Sequence, residues 1–144
     1  MTPEELSDRI EIDDLVTRFA LAVDTKDFDL LDTVFTPDAE LDYSQPAGAH
    51  GRYSEMKAWI TASMTPFEMV QHLIVNRLIE LAGDTARCRS YLYNPLAIRD
   101  ADGELHRYVV GGTYDDRCVR TPDGWRIAER THQILWTEGD VVAP

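Results

Sequence analysis

The second half of the chain constrains its fold most, because every segment from Pro66 onward alternates apolar and polar residues as β-strands do. Three turn signals interrupt this alternation, at Ala82-Gly83-Asp84, Asp102-Gly103 and Pro122-Asp123-Gly124. Turns of this type between long alternating runs are typical of sequential antiparallel hairpins. The pattern therefore predicts four consecutive strands, over residues 67–80, 85–98, 104–120 and 125–136.

The first half of the chain is instead typical of helices. Thr2 is a good N-cap, Pro3 suits the first helical position and Glu5 completes a capping box. Apolar residues then recur at helical spacing and predict an amphipathic helix of about twenty residues. The pattern further predicts a short helix capped by Asp27, a strand over 39–43, a loop over 46–51 and a third helix capped by Ser54, whose apolar face comprises Met56, Trp59, Ile60 and Met64.

Helices followed by a meander of strands predict a single domain of the α+β class over residues 1–144. We expect a cone-shaped α+β barrel, in which the N-terminal helices pack on a strongly curved, mostly antiparallel sheet and enclose a pocket. Gly111-Gly112, inside the third long strand, predicts the bulge or sharp bend that such curvature needs.

Charge and composition argue against several classes of partner. The net charge is -12 and Lys and Arg form no cluster, which disfavours binding to nucleic acid or to an anionic membrane surface. No apolar run approaches the length of a membrane span, and the acidic N-terminus lacks the apolar stretch of a signal peptide, so we expect a cytoplasmic protein. Cys88 and Cys118 form no CxxC pair, and we expect two reduced thiols in the core.

The polar residue that stands out is His72, in the middle of the apolar run from Met69 to Val75. Strand parity places it on one face with Asn76 and the neighbouring valine and isoleucine. Two interpretations fit this position. His72 is either a half-buried core histidine that donates to a carbonyl, or a histidine that the strand carries into a cavity, where its proton is used.

Asp24 is the second unusual residue, at the end of the first predicted helix and at the edge of its apolar stripe. A carboxylate near a helix C-terminus meets the unfavourable end of the helix dipole, so it needs a compensating partner unless it is solvated. An imidazole would serve as that partner. A histidine whose far nitrogen is held by an aspartate is a well-formed general base.

The last predicted strand adds an arginine and a histidine. Parity places Arg130 and His132 on one face, together with Arg126 and Ala128. A buried arginine beside a histidine could bind an oxyanion or a leaving group, whereas on the outer face the same residues would form a charge ladder. Further candidate hydrogen-bonding groups are the side chains of Tyr43, Tyr91, Tyr93, Tyr114 and Asn94.

A metal site is disfavoured by the spacing of the candidate ligands. Asp24, His72 and His132 could be cast as a two-histidine, one-carboxylate triad, but no HxH, HxxxH or HxD spacing supports it. The sequence also lacks a GxSxG motif and a Gly-rich phosphate loop. We therefore expect neither a metal nor a cofactor.

Three segments carry a resemblance to a known family: IDDLVTRFALAVDTKDFDLL (12–31), QHLIVN (71–76) and VVGGTYDDRCVRTPDGWRIAERTHQILW (109–136). Their order resembles the SnoaL-like branch of the nuclear-transport-factor-2-like superfamily, which contains scytalone dehydratase, bile-acid 7α-dehydratase and hexachlorocyclohexane dehydrochlorinase. The resemblance covers about residues 8–137. It implies that Asp24 supports His72 in abstracting a proton, and that Arg130 contacts the leaving group.

Two positions depart from the pattern of that family. Phe19 stands where these enzymes place a lysine or a tyrosine facing the pocket, so help to the leaving group is missing or comes from elsewhere, with Tyr43 and His132 as candidates. Asn94 lies where the bile-acid dehydratase has an acidic residue near the end of its strand. The expected substrate-binding residues are therefore Phe19, Tyr43, Asn94, Tyr114 and His132.

Residues and resemblance together predict a cofactor-independent lyase of the dehydratase type, which eliminates water or another small group. The apolar lining predicts a small apolar substrate such as a polyketide, terpenoid, steroid or aromatic compound. An isomerase or an aldol-type cyclase would use the same parts, and a ligand-binding module without chemistry, which Phe19 favours, is the alternative of another class. The open sheet face suggests a homo-oligomer, and the resemblance implies the same, because dimers or trimers are usual in that family.

Overall fold

The α+β class predicted from the sequence is confirmed by the computed structural model, which describes residues 1–45 and 48–140. The helices of the described residues are α1 (Pro3–Asp24), a 3-10 helix (Phe28–Thr33) and α2 (Tyr53–Met64). The strands are β1 (Phe35–Gln45), β2 (His50–Arg52), β3 (Met69–Val70), β4 (Leu73–Ala82), β5 (Thr85–Arg99), β6 (Leu105–Thr121) and β7 (Gly124–Glu138).

The strands form one curled sheet that wraps around the helices without closing. Its order is β2-β1-β7-β6-β5, and both β3 and β4 pair with β5 at the far edge. Every pairing is antiparallel except that of β1 with β7. The predicted barrel is therefore an open one, with its concave face covered by α1.

Helix α1 is fixed at its start and packed along one face. The predicted capping box is present, since the Thr2 hydroxyl accepts from the Glu5 backbone N–H and the Glu5 carboxylate accepts from that of Thr2. Its buried residues recur at helical spacing and include Ile12, Phe19 and Val23. The apolar stripe reaches Val23 in the last turn, so the helix is packed against the core up to Asp24, its last residue.

Of the two other predicted helix caps, one is confirmed in position and one is wrong. Asp27 is the N-cap residue of the 3-10 helix but makes no side-chain capping hydrogen bond. Helix α2 begins at Tyr53, so Ser54 lies inside it and Arg52 takes the capping position without a side-chain bond. Burial of Tyr53, whose hydroxyl donates to Asp32 at 2.6 Å, sets the start of the helix instead.

The loop predicted over 46–51 is described in part. Pro46 and Ala47 lie outside the described residues, and the segment from His50 to Arg52 pairs with β1 as a short strand.

The predicted irregularity at Gly111-Gly112 is confirmed, since the register between β6 and β7 shifts there. The space beside Gly111 is filled by the indole ring of Trp136, so a Cβ atom at this position would overlap the ring. The glycine therefore lets the two strands bend together where the sheet curls.

Both cysteines are buried free thiols, as predicted. Burial, with the nearby Asp116 carboxylate adding to it, raises the pKa of Cys88 to about 12, so its thiol is inert at neutral pH. Among the described residues, no helix has both the length and the apolar character needed to cross a bilayer.

Candidate active site

A break between β3 and β4 positions His72. Val70 pairs with Leu96 and Leu73 pairs with Tyr93, so Gln71 and His72 face Pro95 and Asn94 without forming a continuous ladder. Pro95 has no N–H to donate, which leaves the ladder one bond short at this point. The single strand predicted over 67–80 is therefore two strands, and His72 lies in the gap.

Asp24 binds the backbone N–H of His72, which the interrupted ladder leaves without a strand partner. Its carboxylate accepts from the His72 backbone N–H at 2.9 and 3.1 Å, and its Oδ1 lies 2.6 Å from Nδ1 of the same residue. These contacts place the end of α1 on the broken edge of the sheet. The Asp24 side chain is bound in two ways to one residue, which holds the imidazole in a single orientation.

The second ring nitrogen of His72 points towards Asn94. The Asn94 side-chain nitrogen lies 3.2 Å from Nε2. With this pair of partners, the assigned tautomer carries its hydrogen on Nδ1, which donates to Asp24, and leaves a lone pair on Nε2, which accepts from Asn94. The His72 side chain is 5% exposed, so its lone pair lies in a protected site.

These groups line a cavity of about 170 Å³ between α1, α2 and the concave face of the sheet. Aromatic rings form much of its wall, and Phe19 meets His72 edge to face with ring centroids 5.9 Å apart. The remaining apolar wall is formed by residues from both helices and from β5, β6 and β7, among them Val23, Ile60, Leu92, Leu96, Val110 and Ile134.

His132 lines the same cavity but lacks a carboxylate partner. It is 8% exposed, and its Nε2 has no hydrogen-bond partner among the described residues. Burial, followed by the charge of Arg130 and by His72, lowers the pKa of His132 to about 4. The imidazole is therefore neutral at pH 7.

Arg130 does not line the cavity, which corrects the expectation that it contacts the leaving group directly. The side chain is fully buried behind the cavity wall and donates from Nε and an Nη atom to the Asp116 carboxylate at 2.7 and 2.8 Å. Its guanidinium is stacked between the rings of Phe19 and Tyr114, at 4.1 and 4.0 Å from their centroids. The alternative of an outer-face charge ladder is also excluded.

Burial opposes the charge of Arg130, but the Asp116 carboxylate together with Tyr43 and Tyr114 outweighs it and holds the pKa of Arg130 well above its usual value. The two side chains form a neutralised pair beneath the cavity floor. Sequence reasoning missed Asp116, although its position two residues from Tyr114 and from Cys118 on β6 marks an inward-facing charge.

Tyr43 and Tyr114 line the cavity, whereas Tyr91 and Tyr93 lie on the outer face of the sheet and contribute no hydroxyl to it. The Tyr43 hydroxyl oxygen accepts from Arg130 at 3.5 Å. Burial raises the pKa of Tyr43 and raises that of Tyr114 well above its usual value, so both hydroxyls stay protonated and can donate.

Two bulges overturn the parity assignments at other positions. Asn76 has a φ of 54° and is exposed, because the register of β4 on β5 shifts by one residue there, so it does not share a face with His72. On β7 the register shifts at Ala128, between Ile127 and Glu129. The inward-facing residues are therefore Trp125, Ile127, Arg130 and His132, and neither Arg126 nor Ala128 belongs to that face.

A family model for the SnoaL-like domain matches residues 4–131 of the chain. The chain is 41% identical over 127 residues to the uncharacterized protein Rv2910c of Mycobacterium tuberculosis, an alignment that covers 88% of this chain and 84% of the relative.

Solved structures of other bacterial proteins share the fold of this chain. Kfla4162 of Kribbella flavida has a TM-score of 0.84 at 28% identity and covers 93% of this chain and 95% of its own. A proposed scytalone dehydratase from Novosphingobium aromaticivorans has a TM-score of 0.81 at 20% identity, over 99% of this chain and 94% of its own. At that identity the likeness concerns the fold alone. From the family model and the fold together, the chain belongs to the SnoaL-like domain family.

Proposed function

We propose that the protein is a cofactor-independent lyase, a dehydratase in which His72 removes a proton from carbon. The observation that carries the proposal is the position of His72 between a carboxylate and an apolar cavity. Asp24 binds Nδ1 at 2.6 Å, and Nε2 contacts Asn94, which lines the same cavity as His72. A base of this kind contributes typically about 10²–10⁴-fold to a proton transfer.

Asp24 has two functions in this proposal. It fixes the tautomer that leaves a lone pair on Nε2, and its charge stabilises the imidazolium that forms once the proton is taken. The C–H electron pair passes through an enolate into the new double bond. The imidazolium then returns the same proton to the departing hydroxyl, so water leaves and His72 is regenerated.

Tyr43 is the group that we propose to stabilise the negative oxygen of the enolate. Because its oxygen accepts from Arg130, its own hydrogen is free to point into the cavity. Arg130 thus acts by positioning the Tyr43 hydroxyl and not by direct contact with the substrate, which replaces the role expected for Arg130 from the sequence. Donors held in place before the reaction stabilise developing charge without reorganisation.

The family and the lining of the cavity support this reading. The SnoaL-like fold is shared with a proposed scytalone dehydratase, and the cavity wall is largely apolar and aromatic. A substrate with a mostly apolar body and few polar groups suits such a wall.

A second candidate is a ligand-binding module without chemistry, which the Asn94 contact favours. The Asn94 amide donates to the same lone pair that a base needs, and Phe19, which packs edge to face on His72, offers no polar group there. In the lyase, the substrate displaces this contact of 3.2 Å; in the binding module, the contact persists when a ligand is bound.

A screen of β-hydroxy ketones tests the proposal, because their dehydration gives enones that absorb in the ultraviolet. We expect turnover by the unaltered protein and a loss of about 10²-fold or more in His72→Gln. His106→Gln is the matched control, since His106 also contacts an aspartate but lies outside the cavity. Equal turnover by the His72→Gln and unaltered proteins would contradict the assignment of His72 as the base.

A further inference from the structure

We infer that the cavity selects an uncharged molecule of about one six-membered ring that carries a hydroxyl group. The inference rests on the proposed function only in taking this cavity as the substrate site. It narrows the substrate by size, by charge and by one hydrogen bond, each from a separate feature of the cavity wall.

The size limit follows from the volume of the cavity, which is about 170 Å³. Sites for drug-sized ligands measure roughly 300–1,000 Å³. An engineered apolar cavity of about 150 Å³ in another protein binds benzene. One ring with a small substituent therefore fills the space, whereas fused two-ring compounds and steroids exceed it.

The charge limit follows from the side chains of the wall. Among the residues that line the cavity in the described parts of the chain, none is Asp, Glu, Lys or Arg. The nearest cation, Arg130, is already neutralised by Asp116 behind the wall, and His132 is neutral. An ionised carboxylate, phosphate or ammonium group on the ligand would lose its water without gaining a partner of opposite charge.

The hydroxyl requirement follows from two buried polar atoms that lack partners. Asn94 is 5% exposed, its amide nitrogen donates to His72, and its Oδ1 has no partner among the described residues. Nε2 of His132 is unpartnered in the same way. Buried polar atoms are as a rule hydrogen-bonded, so a ligand that supplies a donor to Asn94 gains a hydrogen bond that a purely apolar ligand does not. A neutral hydroxyl can donate to Asn94 Oδ1 without bringing a charge into the cavity.

Four simple probes separate these requirements, with binding to the unaltered protein measured by ligand-observed NMR and calorimetry. Phenol meets all three requirements, toluene has the same shape without the hydroxyl, benzoate adds a charge, and 1-naphthol adds a second ring. We expect phenol to bind about fivefold or more tightly than toluene, which corresponds to one net hydrogen bond. Benzoate and 1-naphthol should bind at least tenfold more weakly than phenol.

Substitutions then test whether the preference arises where we place it. Asn94→Leu should reduce the preference for phenol over toluene to within about twofold, because the acceptor is lost. Gln133→Leu is the matched control, since Gln133 is an exposed amide beside His132 on β7 and outside the cavity. It should leave the preference unchanged.

Equal binding of phenol and toluene would overturn the hydroxyl requirement, and benzoate or 1-naphthol binding as tightly as phenol would overturn the limit of charge or size. Retention of the full phenol preference in Asn94→Leu would also contradict the inference. These binding results do not depend on catalysis. Selective phenol binding without turnover of any β-hydroxy ketone would leave the inference standing and reject the lyase. Turnover of a β-hydroxy ketone together with unselective binding of the probes would support the lyase and reject the inference.

Discussion

His72–Asp24 and His106–Asp100 are both aspartate–histidine pairs with short contacts, of 2.6 and 2.7 Å, yet their surroundings differ. Asp24 binds Nδ1 and the backbone N–H of the same histidine, which fixes the ring against the end of α1. Asp100 binds Nε2 of His106 and otherwise accepts from the backbone of its own turn, at Asp102 and Glu104.

Exposure separates the two pairs more clearly than distance does. The His72 side chain is 5% exposed and borders an apolar cavity, whereas that of His106 is 30% exposed and lies near the hairpin between β5 and β6. A carboxylate bound to a histidine is therefore not by itself a sign of catalysis, since Asp100 binds His106 while it stabilises the turn at Asp102 and Glu104. What distinguishes His72 is that it lines an apolar cavity and that its second nitrogen contacts Asn94 in the wall of that cavity.

The largest expected effect comes from removing the charge of one aspartate in each pair. Asp24→Asn should lower turnover about a thousandfold, because the tautomer and the imidazolium of His72 both lose their support. Asp100→Asn should leave turnover within about twofold, since its pair does not reach the cavity. Steady-state rates and circular dichroism of both variants check this. Equal losses in the two variants would abolish the distinction between the pairs.

The buried Arg130–Asp116 pair sharpens the comparison, because it is enclosed like His72 but structural in its main function. Asp116→Asn leaves an unpaired charge in the core and should lower the free energy of unfolding by about 3–5 kcal/mol. Asp115→Asn, one residue away and paired with exposed Arg87, should have a much smaller effect. Urea unfolding of the two variants measures the difference, and similar losses would show that Asp116 is not held in an enclosed pair.

His132 provides the smallest expected effect, a pH dependence of stability. Its pKa is lowered to about 4 in the folded protein, from 6.5 for an ordinary histidine. The unfolded chain therefore binds a proton first, so the contribution is fully present above pH 6.5 and is lost as the pH falls towards 4. The loss should reach up to about 3 kcal/mol.

His132→Gln should flatten the pH dependence of unfolding between pH 6.5 and 4. Denaturant unfolding at several pH values measures this dependence. An unchanged pH dependence in His132→Gln would mean that the buried imidazole is not the group responsible.

Local signals in the sequence were enough for much of the fold. The capping box at Thr2 and the glycine-containing turns are read from a few adjacent residues, and the structure has the first helix and the hairpins at those places. The cap predicted at Ser54 is wrong because the buried Tyr53 sets the start of α2, and Asp27 occupies its predicted cap position without a side-chain bond to the 3-10 helix.

The candidate site was less accessible, because one extra residue in a strand reverses every side chain after it. The shift at Ala128 and the positive φ of Asn76 arise from how neighbouring strands fit together, which alternation alone does not encode. Pro95 is visible in the sequence, but it indicates a break opposite His72 only once β3 and β4 are known to pair with β5 on either side of it. The proximity of Asp24 to His72 came from the family resemblance and from the needs of a helix C-terminus.

The most direct test of the central claim, that Nε2 of His72 takes a proton from carbon, needs no knowledge of the natural substrate. Proton NMR in D₂O follows the loss of the α-hydrogens of 4-hydroxycyclohexanone, an uncharged one-ring ketone that carries a hydroxyl group. We predict that the unaltered protein and Asp100→Asn accelerate this exchange over buffer, whereas Asp24→Asn and His72→Gln do not. Exchange that is as fast with Asp24→Asn as with the unaltered protein, or that no form of the protein accelerates, would contradict the account.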